Sequence, residues 1–132
     1  MATRGWGTDR PVADQLFAEG WRFDFYQAVR ILEILQTGTS AVGEGADAGA
    51  EPVRFRSAVR FDFPASPVAE VAEEPTDTDG PRMIVTFLGL AGAHGPLPSP
   101  YAELIIERLK QRDTALRDFL DIFNHRLVSL LY

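Results

Sequence analysis

The densest apolar pattern in the chain lies between Leu116 and Leu131. On a wheel of about 100° per residue, Leu116, Phe119, Leu120, Phe123, Leu127, Leu130 and Leu131 share one arc of roughly 120°. His125 falls opposite that arc, near Asp121, while Ile122, Val128 and Tyr132 lie off the main stripe. The pattern predicts a helix packed on two sides. Burying large side chains at roughly 1.5–3 kcal/mol each would rival the net stability of a small domain. The stripe is therefore expected to be covered, by the chain's own strands, by a C-terminal remainder or by a partner subunit. It runs to Tyr132 with no closing glycine or polar tail, which predicts that the helix continues in a longer protein.

Other elements follow from shorter patterns. Pro11 opens a helix over residues 12–19 with Gly20 as its stop. Asp24 is a fitting N-cap, with Gln27 three residues on, for a helix that places Phe25, Ala28, Val29 and Leu32 on one face. Gly38 ends it. Residues 37–52 are Gly/Ala-rich and unpatterned, so they read as a flexible loop. "VRFRSAVRFDF" (53–63) alternates twice, with Val53, Phe55 and Ser57 followed by Val59, Phe61 and Phe63. That predicts half-buried strand with a bend near Ser57. Residues 66–82, rich in proline and acids, read as an exposed connection, and "RMIVTFLGL" (82–90) as a further strand. Ser99-Pro100 starts a helix reaching about Gln111, and Asp113 caps the last one. The expectation is an α+β fold with N-terminal helices, a small sheet of about three strands and two C-terminal helices.

Composition narrows function. The chain has 132 residues, enough for one domain. Its formal charge of −6 argues against a general nucleic-acid binder, because phosphate neutralisation needs a basic face. The absence of cysteine excludes disulfides, thiolate metal sites and cysteine nucleophiles. Neither a signal peptide nor an apolar run of about 20 residues is present, so no direct membrane insertion is expected and a cytoplasmic protein is the default.

Candidate chemistry is sparse. "GLAGAHG" (89–95) sits between a strand and a helix, where a phosphate loop would belong. However, Pro96, Pro98 and Pro100 remove the N–H donors such a cradle needs, so a rigid turn is the better reading. Asp121 and His125, four apart, would stand side by side on a helix. A dyad or metal site needs a further ligand or nucleophile, and His94 is the only other histidine. A structural pair, with the carboxylate favouring the imidazolium, fits better; Arg126 beside it could bond a carbonyl or carboxylate. The acids at 70–79 miss the spacing of a calcium loop. Trp21, Phe23, Phe25 and Tyr26 could form a ligand shelf, although such clusters are more often core. No catalytic residue, cofactor or metal is expected.

Four stretches, "FDFYQAVRILE" (23–33), "VRFRSAVRFDFP" (53–64), "FLGLAGAHGPLP" (87–98) and "LRDFLDIFNHRLVSLLY" (116–132), together resemble the N-terminal part of the TssG family (also ImpH or VasB), baseplate subunits of the type VI secretion system. Tyr26, His94 and Ser99-Pro100 depart modestly from that pattern. The resemblance implies that residues 1–132 are the N-terminal region of a longer protein. It further implies a non-enzymatic scaffold that assembles with TssF-like and TssK-like subunits, around hub and sheath components, on the cytoplasmic side of the inner membrane. On this reading Asp121, Asn124, His125 and Arg126 orient the last helix by hydrogen bonds, while Phe119, Phe123 and Leu127 supply burial. The rivals are a wedge protein of a contractile phage tail or tailocin, a small hydrolase using Asp121 and His125, and a soluble module binding a ligand on the aromatics at 21–26.

Overall fold

The computed structural model describes residues 11–74 and 80–132. The first helix, α1 (Val12–Ala18), contributes Leu16 to the core. A 3-10 turn at Gly20–Arg22 leads to α2 (Phe25–Leu35). Asp24 caps α2 by accepting from the Tyr26 N–H at 3.1 Å. Its buried face is the predicted one, Phe25, Ala28, Val29 and Leu32.

Three strands follow: β1 (Arg54–Ser57), β2 (Val68–Glu73) and β3 (Pro81–Val85). The order is β1-β3-β2, with β1 parallel and β2 antiparallel to β3. Val53, Phe55, Val68, Val71, Met83 and Val85 pack beneath α1 and α2 as the main core. The opposite face of the sheet carries Arg54, Arg56 and Arg82, the last in register with Arg54. The fold class is α+β, as the sequence predicts.

The strands are not all the expected ones. The second alternating run never pairs: β1 ends at Ser57, the chain bends away, and Phe61 and Phe63 stay exposed, Phe63 by 88%. The missing strand, β2, lies inside the segment 66–82 read as a connection. Its register shifts between Val68 and Glu70, so its two buried valines are three residues apart and the period-two signature is lost. Residues 37–52 are also better organised than their composition implies. Val42, Glu51 and Pro52 are buried, Ala48–Ala50 forms a 3-10 turn, and Glu33 accepts the Val42 N–H at 3.3 Å.

α3 (Ser99–Lys110) begins at Ser99 itself, with Pro98 at the cap position and no side-chain cap. α4 (Ala115–Leu131) follows, its first N–H accepted by Asp113 at 3.1 Å. A second small core of Ala91, Ala102 and Ile105 gathers Leu116 and Leu120 from the start of α4. The glycines of 89–95 do permit close approach: a Cβ on Gly89 would collide with Ser57, and one on Gly95 with the Leu90 carbonyl. Gly43 combines a left-handed backbone, φ +79°, with the Ser129 carbonyl of α4 against it. Gly43→Ala is expected to cost about 1–3 kcal/mol, read by urea denaturation, through left-handed strain and displacement of α4.

Candidate functional site

The orientation of α4 decides the site: within the described chain its polar side is the covered one. The face turned inward is Asp121, Asn124, His125, Val128 and Ser129. Phe119, Ile122, Phe123, Leu127, Leu130 and Leu131 face outward; Phe119 is 56% and Ile122 66% exposed. Thus Phe119, Phe123 and Leu127 do not supply burial within this chain.

Polar residues line the inner face because α4 lies along the open edge of β1, which presents unpaired N–H groups. Asp121 Oδ1 accepts from the Ser57 N–H at 3.2 Å, and His125 Nδ1 from the Phe55 N–H at 3.0 Å. The spacing explains the fit. Residues four apart on a helix rise about 6 Å, and residues two apart on a strand about 6.6 Å. About one turn of helix therefore does the work of a neighbouring strand, running antiparallel to β1. Asn124 extends the seam, accepting from the Leu90 N–H at 3.0 Å and donating to Asp121 Oδ1 at 3.0 Å.

Since Nδ1 of His125 accepts, its proton sits on Nε2, which lies 3.2 Å from Glu51 Oε2. Glu51, whose side chain is fully buried, also takes the Ser129 hydroxyl at 2.9 Å and the Gly43 N–H at 3.2 Å. Arg126 donates to the Gly45 carbonyl at 2.8 Å and stands 3.9 Å from Glu51 Oε1. The His125–Glu51 contact is a hydrogen bond donated by a neutral imidazole, not an ion pair. Burial pushes the His125 pKa below its ordinary value; the Glu51 carboxylate opposes that shift, while Arg54 and Arg126 reinforce it. The expected Asp121–imidazolium pair is therefore replaced by a Glu51–imidazole contact. Asp121 has its own partners, and desolvation raises its carboxyl pKa against the Asn124 and Ser57 hydrogen bonds. Its Oδ2 is buried without a partner.

Glu51 is the residue that sequence reasoning missed, because it ends a Gly/Ala-rich stretch that reads as solvated. The other candidates disperse. His94 lies beside Phe63 with ring centroids 5.9 Å apart, away from His125 in the Gly/Pro loop. Phe25 is core, whereas Trp21 and Tyr26 are half exposed. Glu70 and Glu74 are held by Arg82, and residues 75–79 of the acidic stretch lie outside the described residues. Among the described residues no three His, Asp or Glu side chains are placed to hold a metal, and no helix is long and apolar enough to cross a membrane.

A family model described as "Type VI secretion, TssG" matches residues 19–132, nearly the whole described chain. The chain belongs to the TssG family. No curated protein and no solved structure matches it. The matched span takes in α2, the sheet and both C-terminal helices, so the polar seam and the outward stripe of α4 lie within the TssG region. Membership assigns the chain to type VI secretion, and the geometry above describes how a TssG-type region holds one helix by its polar side.

Proposed function

We propose that this chain is a non-enzymatic structural part of the type VI secretion baseplate wedge, and that the outward stripe of α4 is where a TssF-like subunit docks. The observation that carries this reading is a firmly held helix presenting six large apolar side chains to solvent. Contiguous apolar patches of this kind mark interaction surfaces. Half-exposed Phe and Leu side chains leave on the order of 1 kcal/mol each unrealised, which docking can recover less its ordering costs. TssK-like, hub and sheath components are the further partners, and the assembly sits on the cytoplasmic side of the inner membrane. The Asp121–His125 pair serves positioning: both side chains accept from β1, and the Ser129 hydroxyl, 3.5 Å from His125 Nε2, donates to Glu51 at 2.9 Å.

The test is the double substitution Phe119→Ser/Phe123→Ser in the full-length protein. Because both rings are half exposed, the unfolding midpoint should move little, by less than about 1 kcal/mol in stability. Co-purification with the TssF-like subunit should fall at least about tenfold, as expected for removal of central aromatic anchors. Undiminished co-purification would remove α4 from the interface.

A further inference from the structure

A cleft of about 370 Å³ opens between β1 and α4 beside the polar seam. Its wall includes Arg54, Arg56, Glu74, Asp118, Asp121 and His125. Nearly every charge there is engaged. Glu74 is held by Arg82 at 3.0 Å and Arg56 at 3.6 Å, and Asp118 by Arg117 at 2.9 Å. Asp121 takes the Ser57 and Asn124 donors, and His125 is spanned between Phe55 and Glu51.

Arg54 is the exception. Half-buried on the same sheet face as Arg56 and Arg82, its side chain makes no hydrogen bond or ion pair among the described residues. The Nε–H of Arg82, its neighbour in register, is likewise buried without an acceptor. Among the described residues donors are thus in surplus on this face, and half-buried guanidinium groups are usually paired.

The cleft is also continuous with the docking stripe. Ile122 and Asp118 belong both to its wall and to the exposed side of α4. A protein laid along Phe119, Ile122 and Phe123 therefore covers the cleft mouth and would strand the Arg54 charge unless it brought a counter-charge.

We propose that this cleft is a carboxylate-recognition site, in which Arg54 pairs with an Asp or Glu side chain of the subunit docked on α4. The pair fixes the register of a contact whose apolar part is non-directional. Planar two-point pairing is what a guanidinium offers a carboxylate and a lysine does not.

This proposal rests on the docking reading, and the experiment separates the two. Affinity between the full-length protein and its co-purifying baseplate partner is measured against salt concentration for wild type, Arg54→Ala, Arg54→Lys, Arg54→Glu and Phe119→Ser/Phe123→Ser. Arg54→Ala is expected to weaken binding about tenfold or more and to flatten its salt dependence, with Arg54→Lys intermediate and Arg54→Glu weaker still. Free-chain melting at neutral pH should change little in Arg54→Ala and Arg54→Lys, since the Arg54 side chain has no bonded partner among the described residues and acts on His125 only through its charge. An acid-to-Arg change in the partner that restores binding to Arg54→Glu would identify the carboxylate. If the double Ser variant fails to bind while Arg54→Glu binds like wild type, the docking reading stands and the carboxylate site is wrong. If Arg54→Glu fails while the double Ser variant binds, the stripe reading is wrong and the cleft stands. Stabilisation by inorganic phosphate that depends on Arg54, with partner affinity indifferent to it, would mark a small-anion site and overturn the proposal.

Discussion

Glu51→Ala is expected to destabilise the isolated chain by about 3–5 kcal/mol, the range for removing one member of a buried, charged hydrogen-bond network. The carboxylate collects the His125 imidazole, the Ser129 hydroxyl and the Gly43 N–H, and it stands near Arg126. Truncation strands all of these donors at once, and two of them lie on α4. Against a net stability of about 5–15 kcal/mol, such a loss leaves a marginal fold. Glu51→Gln should cost less: one amide oxygen still serves Gly43, but the amide nitrogen then faces the Ser129 and His125 donors. Urea denaturation of the three proteins at neutral pH measures the order. A midpoint for Glu51→Ala within error of wild type would mean that α4 is not held through this carboxylate.

The sequence disclosed α2 in full because its signals agree: an aspartate cap, a 3.6-residue apolar period and a glycine beyond its end. For α4 the wheel separated the seven-residue stripe from Asp121 and His125, but of that stripe only Leu116 and Leu120 pack into a core of this chain, and Ile122, placed off it, also faces outward. Apolar-inside reasoning fails there because β1 leaves backbone donors open, and burying an edge requires acceptors. A usable signal was present. Asp121, Asn124, His125 and Ser129 are short hydrogen-bonding side chains at helical spacing, with none of the Lys, Glu or Gln typical of a solvated face. Strand β2 was hidden by its bulge, and the run Val59–Phe63 mimicked a strand although β1 had already turned away. Arg54 and Glu51 gained meaning only from the fold, which brings these chain neighbours, three apart, to act with opposite sign on His125.

Acidification is expected to loosen α4 through His125. Its pKa is lowered in the folded chain, chiefly by burial, so between that depressed value and the ordinary 6.5 the unfolded chain binds a proton that the folded chain refuses. Stability is then complete above about pH 6.5 and declines as pH falls through this window, with a slope of up to about 1.4 kcal/mol per pH unit. Protonation must also break the Phe55 N–H···Nδ1 bond, since an imidazolium has no acceptor to offer. The groups facing the ring are the Glu51 carboxylate, which moderates the shift, and the Arg54 and Arg126 guanidiniums, which add to it. Asp121 acts in the opposite sense. Its raised pKa means that the folded chain takes up a proton before the unfolded one, so its contribution improves as pH drops toward the ordinary 3.8. Single substitutions separate the two. His125→Asn keeps an acceptor near Nδ1 without a titrating group and should flatten the decline below pH 6.5 while lowering stability at neutral pH. Asp121→Asn removes the buried charge but puts an amide NH2 where Oδ2 has no partner, so it should lower stability somewhat at neutral pH and leave that decline in place. Thermal melts across this range would show both, and a decline that persists unchanged in His125→Asn would assign the sensitivity to another group.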